Sequence, residues 1–599
     1  MPYDPRIVGP HTDQAAPEPA VVGAASVADP PAPTSRHRHS SRGTARGPVP
    51  DGRWLTVLAF TVVAVPFAVA VLRLATAPDG RLTLPDDLAL IDLHVRRALV
   101  WKQQLGVFDH NNWNHPGPAY FYLVSLVYRV LGSSARSLFV GATLLNAGSA
   151  LACVAVVRRR ATPGRALWAA VWVCVLATVL AAGGASSTTY SESLLGALVS
   201  PWNPMVVLFP LLLLVLLCAG AVDRSGVSLI GALVVASFVI QTDISTAPLA
   251  LALVVAAGLV WVVTRVLDRR RADREAVTAG GSSHGRGGLV LGVLGLAGLV
   301  LMWLPPVVQQ FTNHPGNLTL IYRFFDATHP GQSLVGALWS VAAGASVLVV
   351  GPGEIMGSIL GGTPSQPVLA VTVALATVAL AVAVAVVAAR QRARFALGTA
   401  ALTLVGCLAA VLAVTHVVGF IFGYLVVWTV VLPVAAIIGA GLIRIPAPTT
   451  RTGLRVALCA VAILAGGTAV ARVAAIPPLA RAGDPHVAAL ADLVTPYLVR
   501  GGQVAVGDAG AGTRDTQLLD TEEFIGLVNQ LDRAGYRPTV NAFWKAQFGP
   551  GYLTDGNEQR MVGLSTWTSG SPSLPGYVGR VGDMAVTVTD HEGRPVTGH

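Results

Sequence analysis

Acids, histidines, arginines and amides crowd two neighbouring strings of a chain in which only 12% of residues are charged. They are Asp86-Asp87-Leu-Ala-Leu-Ile-Asp92-Leu-His94-Val-Arg96-Arg97 and Asp109-His110-Asn-Asn-Trp113-Asn114-His115-Pro116-Gly117-Pro118. Read as a helix, the first string puts Asp87, Ile91 and His94 near one face and Asp92 with Arg96 on an adjacent one, by the three-to-four residue repeat. Acids and bases placed this way can point together into a cavity. Each residue also has a plainer reading. Asp87 stands where a helix beginning at Leu88 would take a capping residue. Arg96, Arg97 and Lys102 have stems long enough to snorkel toward lipid head groups. His115, between Asn114 and Pro116, can simply donate hydrogen bonds to a tight turn. His110, His115 and Asp109 carry donor atoms for a divalent metal, at a spacing that matches no ligand signature. Farther along, Gln241-Thr-Asp243 joins two apolar runs with scarcely any loop, so Asp243 is either functional or a cap. Trp202 and Trp303-Leu-Pro305-Pro306 could line a sugar or lipid groove, or serve as interfacial anchors; the proline pair is expected to break its helix.

The elements that must position these residues are membrane helices. The 599 residues are 53% hydrophobic with mean hydropathy +0.62, and apolar runs of about 20 residues, enough to cross a bilayer core, recur along most of the chain. A polytopic α-helical membrane protein follows. The net charge of +10 comes from arginines in short loops between apolar runs, where they set topology, and no nucleic acid is expected as a partner. All five cysteines lie in apolar segments, so none suggests a disulfide or a metal site. Residues 1–53 are rich in Pro, Ala, Ser and Arg and cannot bury enough surface to order themselves. Their basic flank holds the N-terminus in the cytoplasm, and 54–76, followed by no cleavage site, reads as a retained anchor. Eleven full crossings are expected, at 54–76, 136–157, 165–184, 203–222, 227–242, 246–267, 288–308, 367–389, 395–415, 419–442 and 454–474. Ala119–Leu131 and about 334–350 are short or interrupted by glycine and read as interfacial or re-entrant helices; counting both as crossings gives thirteen. The membrane domain then covers 54–475, with its first outer loop at 77–118. The outer side also collects Tyr190-Ser-Glu192, Ser200-Pro-Trp202-Asn203-Pro204, Asp243, His314 to Arg323, Glu354 and His416. From 476 to 599 charge returns and long apolar runs stop. Helices at about 485–498 and 521–534, with strands at 503–506 and near 538–542, suggest a small extracytoplasmic α/β domain. Gly507-Asp-Ala-Gly510-Ala-Gly512 lacks the GxGxxG spacing and reads as a plain glycine-rich turn.

Asp87-Leu-Ala89, Val95-Arg96 and Asn114-His115-Pro116-Gly117-Pro118-Ala-Tyr120-Phe-Tyr122-Leu together resemble the first outer loop of the GT-C membrane glycosyltransferases. In the protein mannosyltransferase and lipid A aminoarabinose transferase group, an Asp-Glu-Ala opening, an Ala-Arg pair and a Lys-Pro-Pro-Leu-x-Tyr-Trp string hold these places. Trp113–Pro118 and Ser200–Pro204 also resemble strings in a group of large actinobacterial membrane proteins, a likeness that covers most of the membrane region. The match to the transferases covers about its first hundred residues. Two positions depart from it: Leu88 replaces the second acid unless Asp86-Asp87 is the pair, and His-Pro-Gly replaces Lys-Pro-Pro. The resemblance implies a GT-C-like fold in the cytoplasmic membrane and transfer of a sugar from a polyprenyl-phosphate donor to an extracytoplasmic cell-envelope acceptor, whether glycan, lipid or protein. It implies Asp87 as the general base that takes the proton from an acceptor hydroxyl, with Asp86, Asp92 and Asp243 behind it. For the departing phosphate it implies Arg96, ahead of Lys102, His115 and Arg323. Asn114, Trp202 and Asn203 complete the substrate-binding candidates. Two other functions fit such a chain: a transporter or flippase of a lipid-linked substrate, for which no inverted repeat is seen, and a noncatalytic assembly protein of the cell envelope.

Overall fold

The computed structural model describes residues 52–78, 82–182, 195–275, 286–356, 359–360, 362–444, 451–508 and 521–598. The N-terminal tail, Tyr190-Ser-Glu192 and most of the glycine-rich string after Gly507 lie outside the described residues. Among the described residues nine helices are long and apolar enough to cross a membrane, at Arg53–Ala75, Arg136–Arg160, Pro163–Leu180, Asn203–Val222, Ile244–Arg270, Gly292–Thr312, Pro367–Arg390, Arg394–Thr415 and Thr452–Ala474. Four shorter apolar helices accompany them, at Ala119–Leu131, Gly226–Thr242, Leu334–Val350 and Val427–Leu442.

Hydrogen bonds sort these helices by their ends. At one end arginines meet: Arg158 donates to Thr56 at 2.8 Å, Arg160 pairs with Asp223 at 3.3 Å, Arg224 pairs with Asp268 at 3.0 Å, and Arg165 reaches the Ile443 carbonyl at 3.1 Å. At the other end Arg136 donates to the Ala77 carbonyl at 3.0 Å, Arg73 to the Ile476 carbonyl at 2.9 Å and Asn203 to the Thr242 carbonyl at 3.3 Å. Among the described residues Gly226–Thr242 and Val427–Leu442, though shorter, also run between these two ends. Ala119–Leu131 does not traverse. Tyr120 near its start donates to the Pro201 carbonyl at 2.6 Å, and Ser133 just past its end accepts from Arg533 at 3.1 Å, both at the end that carries Arg136 and Asn203. Leu334–Val350 also starts at that end, where the Gln332 amide meets the Thr415 carbonyl at 3.0 Å. It leads into Pro367–Arg390, whose last residue lies at the arginine end beside the Gln391–Arg444 bond of 2.7 Å.

The proline pair departs from expectation. Pro305 and Pro306 lie inside an unbroken helix, Arg286–Thr312. A proline at 306 leaves the carbonyl four residues earlier without its helical donor, and the Gln241 side chain supplies one, donating to the Met302 carbonyl at 3.1 Å. A neighbouring helix thus satisfies the backbone locally, as membrane-buried helices require.

Residues 476–598 carry a five-stranded mixed sheet in the order Arg537–Thr539, Gln503–Asp508, Arg560–Thr566, Met584–Thr589, Tyr577–Val581. Gln503–Asp508 is parallel to both neighbours and the remaining pairs are antiparallel. Helices Pro485–Val494 and Thr521–Arg533 pack on each other. The domain is stitched to the start of the bundle, since Thr83 and Asp484 exchange two hydrogen bonds, at 2.7 and 2.8 Å. Between the two regions lies the helix Asp86–Leu99, packed against Ala119–Leu131 on one side and Thr521–Arg533 on the other. Its Leu88, Ala89, Leu90, Ile91, Leu93, Val95 and Ala98 are all buried, so little of this polar-looking string faces solvent.

Candidate active site

A cavity of about 800 Å³ lies where the end of the bundle that carries Asn203 and Thr242 meets the C-terminal domain. It brings together many of the residues singled out in the sequence, among them Asp86, Asp87, Asp109, His110, His115, Trp202, Asn203 and Asp243. Asp87 occupies the second position of its helix; the capping position is Pro85, which makes no side-chain cap bond, so the cap reading of Asp87 does not hold. Instead its carboxylate accepts a hydrogen bond from the Trp202 indole at 2.8 Å. Asp86 takes a left-handed backbone angle, φ 38°, a conformation that Asp tolerates better than most residues.

The Ser200–Pro204 string holds Trp202 from several sides. The Trp202 amide bonds the Ser200 hydroxyl at 3.2 Å, Tyr120 caps the Pro201 carbonyl, and the Trp202 ring packs on Tyr424 with centroids 4.9 Å apart. His115 is fixed by its two ring nitrogens. Nδ1 accepts from the Ile244 backbone amide at 3.0 Å, and Nε2 lies 3.3 Å from the Asn203 side-chain nitrogen, which also donates to the Thr242 carbonyl. Asp243 is both cap and lining. Its carboxylate accepts from the Ser245 amide at 3.0 Å and opens the short helix Ile244–Thr246, while the residue borders the cavity. Asp109 and His110 reach the same space from a two-residue hairpin in which Asp109 pairs with Trp113. Among the described residues no group of three or more His, Cys, Asp or Glu is arranged to hold a metal ion.

Electrostatics distinguish Asp87 from its neighbours. Burial pushes its carboxyl above the ordinary range, and Asp109 adds to that; the Trp202 hydrogen bond and the His115 and His110 rings act the other way. The wall as a whole is acidic, with Asp86, Asp87, Asp109 and Asp243. Its described lining includes no lysine or arginine, and His110, His115 and His416 are its basic groups.

Six sequence candidates stand elsewhere. Asp92 is fully buried on the side of its helix that meets the C-terminal domain, where Arg533 grips both its oxygens at 2.7 and 2.5 Å and Tyr128 donates to it. Arg96 sits beside it, 3.4 Å from Asp92, and bonds Asp532 and, at 2.5 Å, the Asn529 side chain. Both are spent on joining the two regions, so neither borders the cavity. Asn114 is scaffolding: the Asn317 side chain pairs with its backbone amide at 2.8 Å and its carbonyl at 2.7 Å. Lys102 is exposed and outside the lining. Arg323 is exposed on the helix Asn317–Asp326, which gives the cavity Ile321, Phe324 and Phe325 instead. Trp303 donates to Ser237 at 3.1 Å and is not part of the wall.

The residues that sequence reasoning missed come from far along the chain: Tyr424, Trp428, Phe543, Trp544 and Gln547. Phe543 is 61% exposed, which only the structure reveals.

No protein-family model matches the chain, and no curated protein matches it. Among solved structures it is similar to ArnT from Cupriavidus metallidurans in the apo state, with 13% identity over 90% of this chain and 99% of that one and a TM-score of 0.40; the same protein bound to undecaprenyl phosphate gives 14%, 90%, 98% and 0.40. The archaeal oligosaccharyltransferase AglB from Archaeoglobus fulgidus, in complex with an inhibitory peptide and a dolichol-phosphate, shows 14% identity over 84% of this chain and 69% of its own, with a TM-score of 0.33. The arabinofuranosyltransferase AftD from Mycobacteria shows 16% over 76% and 29%, with a TM-score of 0.28. These likenesses are distant, and the chemistry proposed below is built from the cavity's own residues.

Proposed function

We propose that the protein is a GT-C-like transferase that moves a sugar from a polyprenyl-phosphate donor to an acceptor hydroxyl at the extracytoplasmic surface of the membrane, with Asp87 as general base. The observation that carries this reading is Asp87 itself, a half-buried carboxylate on a cavity wall, oriented by the Trp202 indole at 2.8 Å and made more basic by burial. The acceptor O–H gives its proton to Asp87 as its oxygen bonds to the anomeric carbon. The bond from that carbon to the donor phosphate breaks, and the phosphate leaves on its lipid. Leu251, Phe325 and Phe420 are apolar lining residues, each more than half exposed, and suit a rim against which a lipid chain can lie. With no lysine or arginine in the described wall, hydrogen bonds to the departing phosphate fall to the His110, His115 and His416 rings. Asp86, Asp243, Trp202 and Asn203 contact the sugar or acceptor.

The test supplies purified protein in vesicles with labelled polyprenyl-phosphate sugar and a mixed envelope acceptor fraction. Transfer by wild type and its loss by about 100-fold or more in Asp87→Asn, the scale of general-base catalysis, are expected. Transfer that survives the substitution removes Asp87 as base, and lipid movement without transfer favours a flippase. Cysteine labelling at Asn112 and Arg392, expected outside and inside, checks the orientation.

A further inference from the structure

The helix Asp86–Leu99 has two jobs on two stretches. Its first turn presents Asp86 and Asp87 to the cavity, and its last two turns are held by the C-terminal domain at four residues in close succession. Asp92 binds Arg533 through both oxygens, His94 donates from Nε2 to the Gln547 carbonyl at 3.0 Å, Arg96 bonds Asp532 and Asn529, and Arg97 donates to the Phe548 carbonyl at 2.7 Å. Tyr552 extends the network by donating to Asp532 at 3.1 Å. An ion pair that takes a fully buried carboxylate out of water is a poor source of stability, because an apolar pair of similar volume does as well or better. What it fixes is register and rotation. Asp92 lies five residues from Asp87, about 7.5 Å along the same rigid helix at the usual rise, so a turn or slide at Asp92 is passed directly to Asp87.

We propose that Asp92 is a positioning residue: its bond to Arg533 makes the C-terminal domain the template that sets where Asp87 stands in the cavity wall. This rests on the reading of Asp87 as the base, but its test needs neither donor nor acceptor. A hydrophobic carbodiimide couples to protonated buried carboxyls, so the pH midpoint of Asp87 labelling, followed by peptide mass in the detergent-purified full chain, reports the surroundings of that group. Those surroundings are Asp86, Asp109, His110, His115 and Trp202. When the clasp is loosened, water reaches Asp87 and its midpoint falls toward the ordinary carboxylate range. A drop of about one pH unit, or tenfold less labelling at a fixed pH above the midpoint, is expected in Asp92→Asn and in Arg533→Lys, which keeps the charge but not the forked grip; Asp92→Glu restores most of the shift. Should Asp92→Asn fail to fold, Arg533→Lys carries the test alone. Variants that melt earlier but label at the wild-type midpoint overturn the proposal and leave Asp92 as a plain structural tie. An unchanged clasp effect with no sugar transfer by wild type would instead sink the transferase reading alone.

Discussion

At the scale of single residues, what sets Asp87 apart is the balance between burial, which raises its proton affinity, and the Trp202 hydrogen bond, which lowers it. On the proposal that Asp87 is the base, it must be unprotonated to work, so transfer should fall as pH drops through the raised Asp87 value. Trp202→Phe removes the donor that favours the carboxylate, and the acid limb of the pH profile should move to higher pH; a limb that moves lower would mean that Trp202 acts through packing alone. Asp86, Asp87, His115, Trp202, Asn203 and Asp243 could be named from the sequence because polar residues at the ends of apolar runs have few other uses. Arg96 and Asp92 could not be placed correctly, because their partners Arg533 and Asp532 lie more than four hundred positions away. Helical spacing put Asp92 and Arg96 on one face, as found, and said nothing of what that face meets.

At the scale of elements, the continuous helix through Pro305 and Pro306 depends on Gln241. Gln241→Leu leaves the Met302 carbonyl without a donor and should cost about 1–3 kcal/mol, the desolvation penalty of one buried polar group, measured by thermal unfolding. Gly117 guards the same contact, since a Cβ there would come within 2.3 Å of the Gln241 Oε1 and push the side chain off its carbonyl. Gly117→Ala should therefore destabilise as well, and the double variant should be little worse than Gln241→Leu, the mark of two changes acting on one contact. Additive losses would show that the glycine serves another neighbour. Local propensity predicted a break at the prolines because it counts the missing N–H and knows nothing of a donor on another helix. Two of the last three strands of the C-terminal sheet are hard to read for a local reason: Arg560–Thr566 and Tyr577–Val581 each hold a glycine, Gly563 and Gly579, that weakens the alternating pattern, and Tyr577/Gly579 also breaks register with its partner strand. The two helices and two earlier strands of that domain carry clean periodicity and were legible.

At the scale of the whole molecule, the junction between bundle and C-terminal domain should be acid-sensitive. Burial and the nearby Arg97 push His94 down to about 3 from 6.5; for Asp92, burial pushes upward, but Arg533 and Arg96 outweigh it and hold the carboxyl at about 2 against 3.8. Both groups have a folded value below the unfolded one, so the unfolded chain takes up protons first and stability is lost as pH falls. The window opens near 6.5 with His94 and extends through 3.8 toward 2 with Asp92. Melting temperature should decline from pH 7 to 4 in wild type, and much less in His94→Phe; equal slopes would remove His94 as the cause. At neutral pH, Arg533→Ala strands a buried carboxylate and should cost about 3–5 kcal/mol, whereas replacing both partners by apolar residues should cost far less.

Because the chamber borrows its roof from Ile525, Phe543, Trp544 and Gln547, it cannot exist while the ribosome is still making the membrane helices. A nascent chain can insert every traversing segment and still leave Asp86 and Asp87 facing open water until the final stretch emerges and clamps down on Asp92. Assembly therefore runs in a fixed order, with the bundle first and the closed cavity last. A chain that ended before Thr521 would lack both that roof and Arg533, the partner of Asp92.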